Sequence, residues 1–419
     1  MLDIVGVVAA IVVIVLLTQK GVKLYLAILA GIVILVLTNN FSLKAIIEIT
    51  VKSLTSSTMI MLALIMVTLT AFGNLLKETG TLNRIMHSLS VLIRDLRYQV
   101  VLLPALIGLI TFPGGAVFSA PLVEKPGKAL QLSGQRLALA NIMFRHIQYL
   151  IYPFYPALIL FSELSNISIY AFIHFNLVIF FIFYGFVFKY IFRGVKKSKV
   201  AENSSPKSTL AKDLRALLYS LSPLIVLLVS AVGLGLYYPV AILAGIAVAF
   251  LIYFPRDRAV GETVKARMTM IIKGINWSMS FAIVAILIFK DFLEHSEVVA
   301  DIMGLLLEKG LPLFLLVMLI PYITGLLSGS SYAAIGIGVP LFMPILPETQ
   351  AGVYYMALVF IGCLAGYFAS PLHMCTILTA EYLKTPLGTV VKELNLMGAA
   401  VMLLGAAVLS LFLTFYPAL

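Results

Sequence analysis

The sequence predicts an all-α polytopic membrane protein, with about ten transmembrane helices in two inverted repeats, each holding a re-entrant hairpin and a proline-broken helix. Three observations lead there. Hydrophobic residues fill 62% of the 419 positions and charged residues only 11%, against about a quarter charged in an ordinary soluble domain. Apolar runs near the ~20-residue spanning length recur along the whole chain. Breaks in those runs then repeat at one offset: 217 residues separate Pro104 from Pro321 and Gly108 from Gly325, and 218 separate Pro153 from Pro371 and Glu163 from Glu381.

Hydrocarbon offers no partners to backbone N–H and C=O groups, so spanning elements must be helices or a closed barrel, and no alternating strands are present. The runs fall at 4–18, 23–39, 56–76, 98–123 with its break, 138–162 and 167–192, then again at 216–235, 237–254, 276–293, 311–346 with its break, 350–383 and 394–417. This divides the chain into a first repeat at 1–193 with hairpin 98–123, a basic linker at 194–215, and a second repeat at 216–419 with hairpin 311–346. Stretches 81–95 and 296–309 carry apolar residues at helical spacing opposite charges and read as interfacial helices leading into each hairpin. A hairpin that enters and leaves on one side gives each half about five crossings, and an odd count inverts the second half.

The net charge of +11 does not point to nucleic acid, because the basic residues sit in short loops without a basic face. The positive-inside rule explains them. With the linker inside, Lys20, Lys23, Arg84, Arg94, Arg97, Lys125, Lys128 and Arg136 are cytoplasmic, as are Arg256, Arg258, Lys265, Arg267, Lys384 and Lys392. Lys44, Lys52, Lys290 and Lys309 are the exceptions. The expected placement is the cell membrane, with both termini outside and the lipid bilayer as the surrounding partner. The first apolar run follows no basic region and reads as a retained span. Cys363 and Cys375 lie in apolar surroundings and read as core residues, without a disulfide or metal-ligand framework. The sequence has no His-Glu-x-x-His, Walker or Cys-x-x-Cys pattern, so no cofactor or metal is expected beyond Na⁺ or H⁺ as a coupling ion.

Broken helices inside a membrane free backbone groups that ligate ions or carboxylates. The first tip offers Thr111, Pro113, Gly114, Gly115 and Ser119, and the second Ser328, Gly329, Ser330 and Ser331. The proline breaks add Tyr152, Pro153 and Tyr155 in one half and Ser370, Pro371, His373 and Thr376 in the other. Plain readings stand beside these: small residues for close helix packing, and prolines as simple kinks. Arg145 and His146 precede Pro153 as candidate charge partners. Two readings of Arg145 stay open: attraction of an anion, or snorkelling to headgroups from near its helix start.

Three spans, an interfacial helix, a re-entrant hairpin, a proline-broken span and a final span, given twice, resemble the ion transporter superfamily. That group includes divalent-anion:sodium symporters, gluconate permeases, citrate carriers and the large subunits of TRAP dicarboxylate systems. Within it, the length and the run Thr111-Phe112-Pro113-Gly114-Gly115-Ala116 resemble an uncharacterised prokaryotic integral-membrane family with a domain of unknown function. The resemblance implies a homodimer in which a mobile domain moves against a scaffold by an elevator movement. It also implies organic or inorganic anions as substrates, with Na⁺ or H⁺. The divalent-anion branch carries Ser-Asn-Thr at its tips; Thr111 to Gly115 and Ser328 to Ser331 hold no asparagine, so that branch's contacts do not carry over. The expected function is secondary active transport of a small anionic, carboxylate-like solute, not enzymatic catalysis. The alternatives are an intramembrane serine hydrolase using Ser328, Ser330 or Ser331 with His373 as base, and a channel.

Overall fold

Segments that face lipid must pair their backbone polar groups internally, and every regular element among the described residues is helical. The computed structural model describes residues 2–110, 115–196, 198, 210–254, 260–296, 298, 310–346 and 349–415. Thr111, Pro113 and Gly114 of the first tip lie outside these residues, as do most of the linker and of the stretch 296–309.

The first half runs through α1 (Leu2–Gln19), α2 (Leu24–Thr38), α3 (Leu43–Thr55), α4 (Ser57–Glu78), α5 (Thr81–Leu92), α6 (Leu96–Gly108), α7 (Gly115–Ala129), α8 (Gly134–His146), α9 (Pro156–Ser165) and α10 (Ile169–Ile191). Short polar residues start many of these helices by accepting a first-turn N–H that has no helical partner. Ser56 Oγ accepts from Met59 N at 3.1 Å, Asp95 from Arg97 N at 3.0 Å and Ser133 from Arg136 N at 3.3 Å. The apolar run at 138–162 is not one helix. It stops at His146, passes through a 3-10 turn at Ile147–Leu150 and restarts at Pro156, whose fixed φ and missing N–H suit a first helical position.

The second half repeats the order: α11 (Leu210–Leu228) with a π-helical turn at Val229–Gly233, α12 (Tyr238–Leu251), α13 (Val260–Lys273), α14 (Trp277–His295), α15 (Leu313–Ser328), α16 (Ser331–Phe342), α17 (Gln350–Ala369), α18 (Met374–Tyr382) and α19 (Leu387–Phe415). The run at 350–383 breaks at Ser370–His373, around Pro371. Among the described residues, six helical stretches are long and apolar enough to cross a membrane, and shorter apolar helices, including α6, α9, α15 and α16, lie between them.

Two elements depart from the sequence reading. Residues 43–55 and 260–273 were expected as loops, yet both form helices, α3 and α13. Each carries a narrow apolar stripe too short for a spanning run, and packing completes the helix. Buried Ser53 of α3 hydrogen-bonds Asp291 of α14, and buried Arg267 of α13 donates to backbone carbonyls at the end of α12, including Ile252 O at 3.0 Å. Lys44 and Lys52, the exceptions to the loop charge pattern, lie on α3.

Glycines let α15 and α17 approach backbone to backbone. A Cβ on Gly362 would lie 2.6 Å from the Met318 carbonyl oxygen, and one on Gly325 2.8 Å from that of Cys363. One on Gly366 would overlap the Tyr322 carbonyl. The obstacle in each case is backbone, which yields less readily than the end of a side chain. Gly366→Ala should therefore destabilise the protein by about 1–3 kcal/mol, the usual cost of overpacking. Gly185→Ala, with open space around it, should be close to neutral; thermal denaturation of the two purified variants in detergent checks the difference.

Candidate functional site

Helices from the two halves interlock at their breaks. α7, which follows the first tip, packs on α18, which follows the second proline break; α16, which follows the second tip, packs on α9 after the first proline break. Hydrogen bonds fasten both crossings. Tyr155 Oη donates to Ser331 Oγ at 2.8 Å, and Asn141 Nδ2 donates to Thr379 Oγ1 at 2.9 Å and to Ala116 O at 3.3 Å. Within each half a polar side chain ties the proline break to the helix that precedes the tip: Gln148 Nε2 donates to Ala105 O of α6 at 2.7 Å, and Ser370 Oγ to Leu326 O of α15 at 2.6 Å. The carbonyls of a helix's last turn lack helical partners, and Ser370 fills that need at Leu326.

Where the crossings meet, His146 from the end of α8 and His373 from the start of α18 stand edge to face, with ring centroids 4.8 Å apart. Tyr367 packs on His373 at 4.1 Å, Tyr149 on His146 at 5.1 Å, and Tyr149 stacks on Tyr155 at 3.9 Å. The imidazoles are held in defined ways. His146 Nδ1–H donates to Ile142 O at 2.6 Å, leaving Nε2 as the lone-pair nitrogen of the neutral ring. His373 Nδ1 lies 3.3 Å from Thr376 Oγ1, and its buried Nε2 has no partner among the described residues.

Arg145 lies against the start of α7. It is only 2% exposed, and a Cβ on Gly115 would overlap its Nη2. It sits in the last turn of α8, not near a helix start, and its burial rules out snorkelling to headgroups. Its Nε and Nη1 have no hydrogen-bond partner, and no carboxylate pairs with it among the described residues. Helix starts carry partial positive charge. A buried guanidinium with free donors beside the start of α7, near the uncapped start of α18, is thus a concentration of one sign.

The remaining sequence-selected residues have varied surroundings. Gly329 ends α15 in the left-handed conformation (φ 62°), and a Cβ there would meet Leu372 at 2.8 Å. Ser330 caps α16 by accepting from Ala333 N at 3.3 Å, and Ser328 accepts from Ser330 N at 3.3 Å. Ser119 donates within its own helix to Ala116 O at 3.2 Å. Tyr152 is buried beside Phe154, with ring centroids 5.9 Å apart. None of Ser328, Ser330 or Ser331 hydrogen-bonds His373 among the described residues, and Ser331 is engaged by Tyr155, so the nucleophile–base contact of the hydrolase reading is not formed.

Sequence reasoning missed Asn141, Gln148, Tyr149, Tyr367, Cys375 and Thr379. Cys363 is buried as expected for a core residue, but Cys375 is half-buried and lies beside Arg145, His146 and His373. Its position in the first turn of a helix that starts after a proline break was the available signal. A separate cavity of about 780 Å³ lies between α5 and the α6/α7 pair, lined by Met86, His87, Leu103, Phe118, Pro121 and Lys125 among others. Neither His146 nor His373 borders it.

The fold and site define a class: a multi-pass helical membrane protein whose two broken-helix units close around a buried, cationic polar centre. The chain belongs to the DUF401 family, a protein family of unknown function, which it matches over residues 4–412. Its fold is similar to that of the YdaH transporter of Alcanivorax borkumensis, whose crystal structure is described as revealing an unusual topology; the TM-score is 0.61 at 17% identity, covering 89% of each chain. No curated protein matches the chain.

The Tyr155–Ser331 bond joins the two halves and can be measured. Tyr155→Phe and Ser331→Ala should each cost about 1 kcal/mol, and the double variant should cost less than their sum by about 0.5–1.5 kcal/mol. Additive losses in thermal or denaturant unfolding would show that the bond contributes nothing.

Proposed function

We propose that this protein is a secondary active transporter of a small anionic, carboxylate-like solute, coupled to Na⁺ or H⁺ and working by elevator-type alternating access. One observation carries the reading. Arg145 is a buried cation whose Nε and Nη1 have no hydrogen-bond partner among the described residues, set against a helix start and lacking a carboxylate partner there. A charged group within a membrane segment costs about 2.5–3.5 kcal/mol on insertion scales. An anion supplied from outside the chain offsets that cost and accepts the free hydrogen bonds. Hydrogen bonds to charged groups contribute about 1.5–3 kcal/mol each, and those from the free donors would act against the entropy and desolvation costs of binding the anion.

In this reading, 1–193 and 216–419 are inverted repeats with about ten crossings in total, the two tips are re-entrant hairpins, and both termini face outside. The broken helices and hairpins form the moving unit of each protomer in a homodimer, and the space between α5 and α6/α7 leaves one flank of the first hairpin loosely packed. The fold shared with a transporter supports this assignment.

Thermal stability of the purified protein should rise with one class in a panel of carboxylates, sugar acids and oxyanions. Saturation at about a hundred times Kd corresponds to about 2.7 kcal/mol. Arg145→Gln should abolish the shift. Gly115→Ala should weaken it by displacing the flexible end of Arg145 while leaving the fold intact. Labelled solute from the responding class should accumulate in proteoliposomes under a Na⁺ or H⁺ gradient and show counterflow. Normal uptake by Arg145→Gln would sink the proposal, and flux without counterflow would favour a channel.

A further inference from the structure

We propose that His146, His373 and Cys375 form a binding site for one borderline-soft transition-metal ion such as Zn²⁺, bridging α8 of the first half and α18 of the second. The ligand atoms of all three residues lie within 4.8 Å of one another. A tetrahedral ion with Zn–N near 2.0–2.1 Å and Zn–S near 2.3 Å places its ligands roughly 3.3–3.6 Å apart. Side-chain rotation on the order of 1 Å closes that gap without moving either helix. Two imidazoles and a thiolate select this class of ion over Mg²⁺ or Ca²⁺, which prefer oxygen ligands.

The surroundings prepare each ligand. The Ile142 carbonyl holds His146 in the tautomer whose Nε2 lone pair is available, the outer-shell arrangement usual for metal-bound histidine. His373 Nε2 is buried and has no hydrogen-bond partner among the described residues, so coordination gives that atom a bond. The Arg145 guanidinium and the Ala116 N–H both face the Cys375 sulfur, and both are compatible with negative charge there. Binding converts the thiol to thiolate and releases one proton, so the three-ligand Zn²⁺ centre carries one positive charge. Beside Arg145, that excess leaves the fourth coordination position for an anion. Ion and anion then complete each other: the metal supplies an open position, and Arg145 supplies free donors.

Metal binding can be tested without any transport measurement, so its failure and the failure of the transport reading are separable. Full-length protein in detergent, stripped with chelator and titrated with Co²⁺, should develop a thiolate-to-cobalt charge-transfer band together with d–d bands, at one Co²⁺ per chain. Zn²⁺ should displace it. Cys375→Ser should lose the charge-transfer band. His373→Ala should weaken Zn²⁺ binding by more than the ~10–100-fold that follows loss of an outer-shell partner. Cys363→Ser should retain both. Because a substitution at the centre can disturb folding, maleimide labelling of Cys375 in the unaltered chain provides a second measure: Zn²⁺ should protect the thiol and Mg²⁺ should not. A cobalt–thiolate band that survives Cys375→Ser, or unaltered protein that neither binds Co²⁺ nor is protected by Zn²⁺, overturns the site.

Discussion

A helix interrupted inside an apolar protein leaves N–H and C=O groups that neither lipid nor an apolar core can satisfy, and the arrangement of this molecule follows from meeting that demand. Each unpaired buried group costs about 1–3 kcal/mol. The four interruptions therefore lean on one another. Gln148 and Ser370 bind carbonyls on the helix that precedes the tip of their own half, while the Tyr155–Ser331 and Asn141–Thr379 bonds join one half to the other. The first pair holds each break to that helix. The second pair makes the halves a single unit, because each helix after a tip packs on the other half's helix after its proline break.

That scaffold is close to twofold in its element order, but its charge is not. Position 145 is arginine, and the residue 218 further on is Cys363; position 146 is histidine, and its counterpart is Leu364. The cation therefore stands on one side of the crossing only. Both halves thus enclose a single electrostatic centre, to which the second half contributes His373 and Cys375 from its own break. Helices from both halves set the walls, and side chains particular to each half set the chemistry.

Packing density is distributed in keeping with this division. Around α15 and α17, Gly325, Gly362 and Gly366 bring backbones into direct contact, and no side-chain adjustment there relieves an added methyl. At the first tip the close neighbour of Gly115 is the end of an arginine side chain, which yields by rotation. The α6/α7 pair also borders the cavity beneath α5. α15 is thus held by rigid contacts and the start of α7 by contact with a flexible partner.

Much of this was legible from local properties. Apolar length set the helical membrane class, because hydrocarbon leaves the backbone no other solution, and Pro153 and Pro371 marked both breaks because proline removes a donor wherever it stands. The amphipathic helices α3 and α13 were not legible, since each forms by docking a stripe shorter than a spanning run. Nor was the character of the centre. Arg145 is a headgroup contact or a buried anion ligand depending on what covers it, and Cys375 is a core residue or a ligand depending on which helix faces it. His146 and His373 are 227 residues apart, and no local pattern brings them to 4.8 Å. The sequence by itself determined where the helices must break; only tertiary packing decided which side chains meet at those breaks, because the partner of a buried polar group is chosen by long-range geometry.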